Sequence, residues 1–239
     1  MPIVRINEKL HYFAHVPKCG GSSVEQYLRE RFGSLAFLNT RYLDLPEPAR
    51  WTRSSPQHLA ITDFRLLIPP DWIPSSFAVV RHPLNRLISA FHFQMEVEQT
   101  VAPIWTIDEW FDDWLARAAD QPFLYDGHLR PQSDIVPTDA KVFKLEDGLD
   151  ALVPYFDQLA GNSSGPRSVT AENVRTKSAS GSKVARDKPS EATLAKIADY
   201  YAEDFRRFGY EPGKSLRHTR PPARQKGILH RIARKLGGR

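Results

Sequence analysis

FAHVPKCGGSSVEQYL, residues 13–28, decides the fold class. A β-branched and aromatic run ends at Val16, a glycine-containing turn follows, and helical spacing begins near Ser22 or Ser23 with Val24, Tyr27, Leu28 and Phe32 on one face. A strand running into a helix through glycines aims backbone N–H groups and the positive end of the helix dipole at one point, which suits an anion. Gly20 and Gly21 permit close backbone approach, Lys18 adds a mobile positive charge, and Ser22 and Ser23 add hydroxyls. Cys19 lies among them. The lysine precedes the glycines, so this is not a Walker A loop. Taken alone, the segment reads equally well as a tight turn with a solvent-facing lysine.

A second segment, FAVVRHPLNRLISAFH (77–92), repeats the pattern: strand, Arg81 at its end, the turn His82-Pro83, then a helix carrying Arg86 and Ser89. An arginine at the carboxyl edge of a sheet strand stands where open α/β folds bind ligands. An arginine fork with a nearby hydroxyl makes a phosphate clamp. Outward from these two segments, strands are expected at His11–Val16, Leu35–Leu38, His58–Thr62, Phe77–Val80 and Lys141–Leu145. Helices are expected from Leu84 to about Glu98, after a Thr106–Glu109 capping box, and from a Ser190 cap through Phe208 to Gly209. Alternating strands and helices predict an α/β fold with a P-loop-like central parallel sheet flanked by helices. Residues 161–190 are rich in Gly, Ser and charge without apolar period, the mark of a long functional or disordered loop.

Composition narrows the function classes. The chain has 239 residues, 41% apolar and 26% charged, which suits one soluble domain with a tail. No apolar run approaches the ~18–20 residues of a membrane span. One cysteine excludes an intramolecular disulfide and a cysteine-based metal cluster, and no other metal-ligand set stands out, so no metal is expected. Nine of the 33 basic residues lie in 213–239 without an acid, leaving 24 basic against 28 acidic residues in 1–212, a net of −4. The division predicts a folded domain over 1–212 and a basic tail over 213–239. A mildly acidic body argues against nucleic-acid binding. Within the tail, GILHRIARKL (227–236) has an apolar stripe and basic flanks. It fits either an anionic membrane surface or packing on the body or a partner.

Together, PKCGGSS and RHPLNRLISAF resemble the 5′-phosphosulfate loop and the 3′-phosphate motif of sulfotransferases that use 3′-phosphoadenosine 5′-phosphosulfate (PAPS). His82 stands where that family usually has aspartate. HLAITDF (58–64), GHLRPQSDIV (127–136), KVFKLEDGLDAL (141–152) and VRTKSASG (174–181) extend the resemblance towards the carbohydrate branch that includes heparan sulfate 2-O-sulfotransferase. The resemblance implies PAPS as co-substrate without a metal, held by Lys18, Cys19, Gly20, Gly21, Ser22, Ser23, Arg81, Ser89, Arg175 and Lys177. It implies Lys18 at the leaving oxygen, His58 as general base, and His128, Arg130 and Gln132 as contacts to a carbohydrate or glycolipid acceptor. Glu146, Asp63 or His128 is the alternative base. Trp105, Trp110, Trp114 and Tyr125 could stack on sugar rings or fill a core. Without a Golgi-type anchor, the chain resembles a bacterial-type soluble, cytoplasmic member, with its tail a candidate for docking at the inner membrane face. Competing readings are a nucleotide kinase of related fold, disfavoured by the lack of G-K-[ST], and a non-catalytic basic adaptor for membrane or nucleic acid.

Overall fold

The structure is a computed structural model, described for residues 1–170 and 188–213. Arg175, Lys177 and the basic tail beyond Gly213 lie outside the described residues. A hairpin opens the chain. Strand β1 (Ile3–Ile6) pairs antiparallel with β2 (Lys9–Ala14), and Ile6 stands opposite Lys9 across a two-residue turn. Both turn residues, Asn7 and Glu8, have positive φ (47° and 63°), the backbone hand that matches strand twist in tight hairpins. This strand was not expected, since the turn lacks a glycine.

Strand β2 pairs in parallel with β3 (Ser75–Val80), and β3 with β4 (Lys141–Lys144), giving the order β1-β2-β3-β4. The sheet is therefore parallel except at its first pair. The inner strands are buried over Tyr12–Ala14 and Phe77–Val80, as expected of strands covered on both faces. One face stacks Phe13 on Phe77 at 4.8 Å, and α5 (Leu152–Ala160) brings Phe156 to 5.0 Å from Phe77. Tyr27 of α1 (Gly21–Phe32) adjoins the same Phe156. On the other face Tyr12 stacks on Phe64 of α2 (Ile61–Leu67) at 4.0 Å. Helix α3 (Pro83–Glu96) meets α4 (Ile107–Arg117) through Phe91 and Trp110, and α4 meets α6 (Glu191–Tyr200) through Trp114 and Tyr200. Trp110 and Trp114 are thus core residues rather than a sugar platform.

Two expected strands take other forms. Leu35–Leu38 contributes a single bridge, Ala36 to Ile3. His58–Thr62 is split between a 3-10 turn (Pro56–His58) and the start of α2, because Pro56 fixes a turn conformation and Ile61 begins a helical stripe ending in Phe64. The expected caps are present: Thr106 accepts from the Glu109 N–H while the Glu109 carboxylate accepts from the Thr106 N–H, and Ser190 caps α6. The last helix breaks at Tyr201, after which α7 (Ala202–Phe208) runs to a left-handed Gly209. Among the described residues, no helix is long and apolar enough to cross a membrane.

The turn from β2 into α1 is packed without slack. The His15 ring lies beneath the first turn of α1, so a Cβ on Gly21 would sit 1.9 Å from His15 Nε2. Replacing Gly21 by Ala must push the ring away and break its bond to Glu25. A loss of about 1–3 kcal/mol is expected in urea unfolding, the usual cost of overpacking. The same substitution in a His15→Ala background should cost much less. Equal costs in both backgrounds would show that the clash is not the cause.

Candidate active site

Strands β2 and β3 end side by side, with Ala14 opposite Ala78, so the segments that follow emerge at one edge of the sheet. After β2, Lys18 takes a left-handed conformation (φ 66°) and Gly20 another (φ 81°), which turns the chain into α1. Gly20 is the N-cap and provides no side-chain bond, and the first turn of α1 carries no acid. The positive end of α1 is therefore met by neither an N-cap side chain nor a first-turn acid. Ser22 is exposed there and Ser23 is buried. Lys18 Nζ lies 3.5 Å from the Phe93 ring centroid, and burial, then neighbouring Arg81, lowers its pKa to about 8.

After β3, half-buried Arg81 donates from Nη1 to the Lys18 carbonyl at 3.2 Å, so the guanidinium braces the strained residue of the first loop. Ser89 is half-buried one helical face further along α3. The turn itself rests on Glu146, which accepts from the His82 N–H at 2.8 Å and from the Tyr210 hydroxyl at 2.9 Å. A buried carboxylate committed to these two donors is a support for the turn, not a base facing the cleft. His82, wholly buried, bonds the Glu211 carbonyl through Nε2 and packs against Phe205 and Tyr210.

The acceptor-side segment, residues 127–133, is bolted down through its backbone. Arg86, 1% exposed, donates to the carbonyls of His128 (2.8 Å) and Arg130 (2.6 Å). The Tyr201 hydroxyl donates to the Leu129 carbonyl, and Asp204 accepts from the N–H groups of Gln132 and Ser133. The break between α6 and α7 lets Tyr201 and Asp204 both reach this segment. Gln132 is wholly buried, and its amide bonds both backbone groups of Arg81 (2.9 and 2.8 Å). It holds two loops together and cannot meet an acceptor, which corrects the expectation for that residue. Arg130 is half-buried, with its guanidinium 5.2 Å from the Phe123 ring centroid. Arg53 approaches the same ring at 5.7 Å.

His58 and His128 stand together. Their ring centroids are 5.1 Å apart, and His15 lies 5.2 Å from His58. His58 Nδ1 bonds Asp126 Oδ2 at 2.7 Å, and Asp126 Oδ1 accepts from the Ser55 N–H at 2.6 Å. Burial pushes the Asp126 carboxyl up, but the charge and hydrogen bond of His58 and the Ser55 N–H outweigh it and hold the group well below the usual range. With Nδ1 committed to a carboxylate, His58 keeps Nε2 for another partner. His15 makes a parallel pair with Glu25 at 2.6 Å. Burial, then the nearby His58, pushes His128 well below the usual histidine pKa; burial likewise lowers His15. Phe93 links this cluster to the first loop: its ring lies under Lys18 and 5.3 Å from His128.

Lys18, Gly20, Gly21, Ser22, Arg81, His58 and His128 are thereby brought to one cleft. The Cys19 side chain is not: it is 1% exposed, turned inward towards the Pro17 carbonyl and Gln132 Oε1, and burial pushes its thiol up to about 12. Only its backbone could serve an anion. Sequence reasoning missed Asp126 and Glu25, the partners of the two histidines. Their signal was weak: Asp126 is one acid in a loop, and Tyr125 and Asp126 both sit at φ 56°, a strained pair that no residue pattern announces. A groove of about 520 Å³ lies along β4, lined by Lys141, Lys144, Asp147 and Arg207 among others.

A family model described as "Sulfotransferase family" matches residues 3–211. No curated protein and no solved structure matches the chain. The matched span takes in both loops at the sheet edge, the histidine cluster and every helix of the described fold. The chain belongs to the sulfotransferase family.

Proposed function

We propose that the protein transfers a sulfuryl group from PAPS to a hydroxyl of a carbohydrate or glycolipid acceptor. The observation that carries this reading is the placement of the His58–Asp126 pair in the same cleft as Lys18 and the uncapped start of α1. A transfer needs both a proton acceptor and a place for the charge that develops on the leaving group. The residues fit the donor: Lys18 and the α1 N-terminus suit its 5′ end, Arg81 and Ser89 its 3′-phosphate.

In this reading His58 Nε2 takes the proton of the acceptor hydroxyl as that oxygen bonds to sulfur. The bond between sulfur and the 5′-phosphate oxygen breaks, and its electron pair leaves with adenosine 3′,5′-bisphosphate. Lys18 neutralises that oxygen. Asp126 fixes the His58 tautomer and stabilises the imidazolium that forms. Burial that keeps His15 and His128 neutral matters here, because two more cations beside His58 would oppose its protonation. Arg130 and His128 line the acceptor side.

Retention on immobilised adenosine 3′,5′-bisphosphate without magnesium is the first expected outcome, and failure to bind would overturn the reading. Arg81→Ala should weaken that binding by about 1.5–3 kcal/mol, the worth of a charge-assisted hydrogen bond. The affinity should also depend on pH. An anion binds the ammonium form of Lys18, so affinity should hold below pH 8 and decline above it as the free lysine deprotonates. Lys18→Arg should remove the decline.

Turnover isolates the base. With PAPS and a sugar or glycolipid acceptor found by mass-detected screening, His58→Ala should lower kcat roughly 10²–10⁴-fold and leave nucleotide affinity unchanged. Asp126→Asn keeps the shape but loses the charge, and should lower kcat with little change in KM. Wild-type turnover in His58→Ala would remove His58 from the reaction.

A further inference from the structure

We propose that His58, Asp126 and His128 form a binding site for one transition-metal ion of the zinc type, and that its occupancy silences the cleft. One donor atom from each of the three lies within 4.8 Å of the other two. Two imidazoles and a carboxylate make the donor set of open zinc sites, with a fourth position left for water. Bond lengths of about 2.0–2.2 Å put the donors around one ion roughly 3.3 Å apart. The His58 Nδ1–Asp126 Oδ2 pair must open from 2.7 Å to that spacing, and the His128 ring must close on them from within 4.8 Å. Imidazole donors select zinc, cobalt, nickel or copper over magnesium and calcium, which prefer all-oxygen sites.

The outer contacts are also those of a metal site. The Ser55 N–H holds Asp126 Oδ1, so that Oδ2 faces His58 Nδ1 at 2.7 Å, and an ion bound between these two atoms would take the place of the proton they share. Gln94 bonds His128 Nδ1 at 3.1 Å, which leaves Nε2 as the donor. Thr100 Oγ1 meets Gln94 Oε1 at 2.6 Å, and a hydroxyl can donate or accept. A turn of the Gln94 amide therefore lets its oxygen accept an Nδ1 proton, the arrangement that orients a metal-bound histidine. The side chains of His58 and Asp126 are only 10% and 13% exposed, so the ion would be shielded from competing water.

Binding and inhibition are separate claims. The second rests on the proposed function: a metal bound to His58 removes the base that the reaction needs, while Lys18 and Arg81 stay free to hold nucleotide. Cobalt(II) is the probe for the first, because four-coordinate cobalt has intense visible d–d absorption. The full chain should bind one cobalt ion with that spectrum, and one equivalent of zinc should bleach it. The double variant His58→Gln, His128→Gln should lose the spectrum although six of the eight histidines remain. Asp126→Asn, an independent variant, should weaken zinc at least tenfold; circular dichroism checks that both variants fold. Zinc should cut sulfuryl transfer at least tenfold, a chelator should restore it, and affinity for adenosine 3′,5′-bisphosphate should not change. Absence of the cobalt spectrum in the wild type, or its persistence in a folded double variant, would overturn the metal site. Cobalt binding without sulfuryl transfer would sink the proposed function and leave the metal site standing. Full transfer activity with the ion bound would overturn the silencing.

Discussion

The Gln132 carboxamide is the contact on which the cleft depends. Its oxygen accepts from the Arg81 N–H and from the Cys19 thiol, and its nitrogen donates to the Arg81 carbonyl. Three segments far apart in sequence are thereby joined: the loop after β2, the turn after β3 and the segment carrying His128. Asp204 then fixes Gln132 from behind through its backbone N–H. Each of these backbone groups, buried without a partner, would cost about 1–3 kcal/mol. A carboxamide supplies both a donor and an acceptor in one plane. Parallel pairing of β2 and β3 brings the loops to the same edge, and the amide sets their spacing.

Around that amide the site is built from positive groups held in check. Lys18 lies against an aromatic face, Arg81 bonds a carbonyl, and Arg86 is buried against two more. Three imidazoles stand in a row with only two carboxylates, Glu25 and Asp126, beside them. The carboxylates go to His15 and His58, while His128 is left to neutral Gln94.

Much of this was legible in the sequence, and the exceptions share a cause. The two strand–turn–helix units, the Thr106–Glu109 and Ser190 caps and the closing Gly209 are local signals, read over a few residues. His58 was singled out by motif order, and it stands beside His128 and Asp126 although its expected strand is a turn and a helix. What failed was anything set by partners distant in the chain. Gln132 reads as a polar loop residue until Arg81 is beside it, 51 positions away. Glu146 reads as a helix-leading acid until Tyr210 reaches it. Cys19 follows a lysine at a helix entrance, a setting that suggests an activated thiol, yet the turn points its sulfur into the core. The break at Tyr201 has no glycine or proline to mark it, and the contact it permits, from the Tyr201 hydroxyl to the Leu129 carbonyl, spans 72 positions.

That inward thiol has a consequence for the conditions under which the protein can work. A cysteine beside a lysine at a helix entrance is ordinarily a weak point, since peroxide or disulfide reagents attack the thiolate. Here burial pushes the thiol up to about 12, so the reactive thiolate is scarce near neutral pH, and the sulfur is shut away from reagents. Because Cys19 is the sole cysteine, the folded chain offers oxidants no other thiol. Cys19 is therefore closed to oxidants for as long as the fold holds, and unfolding is the event that would expose it.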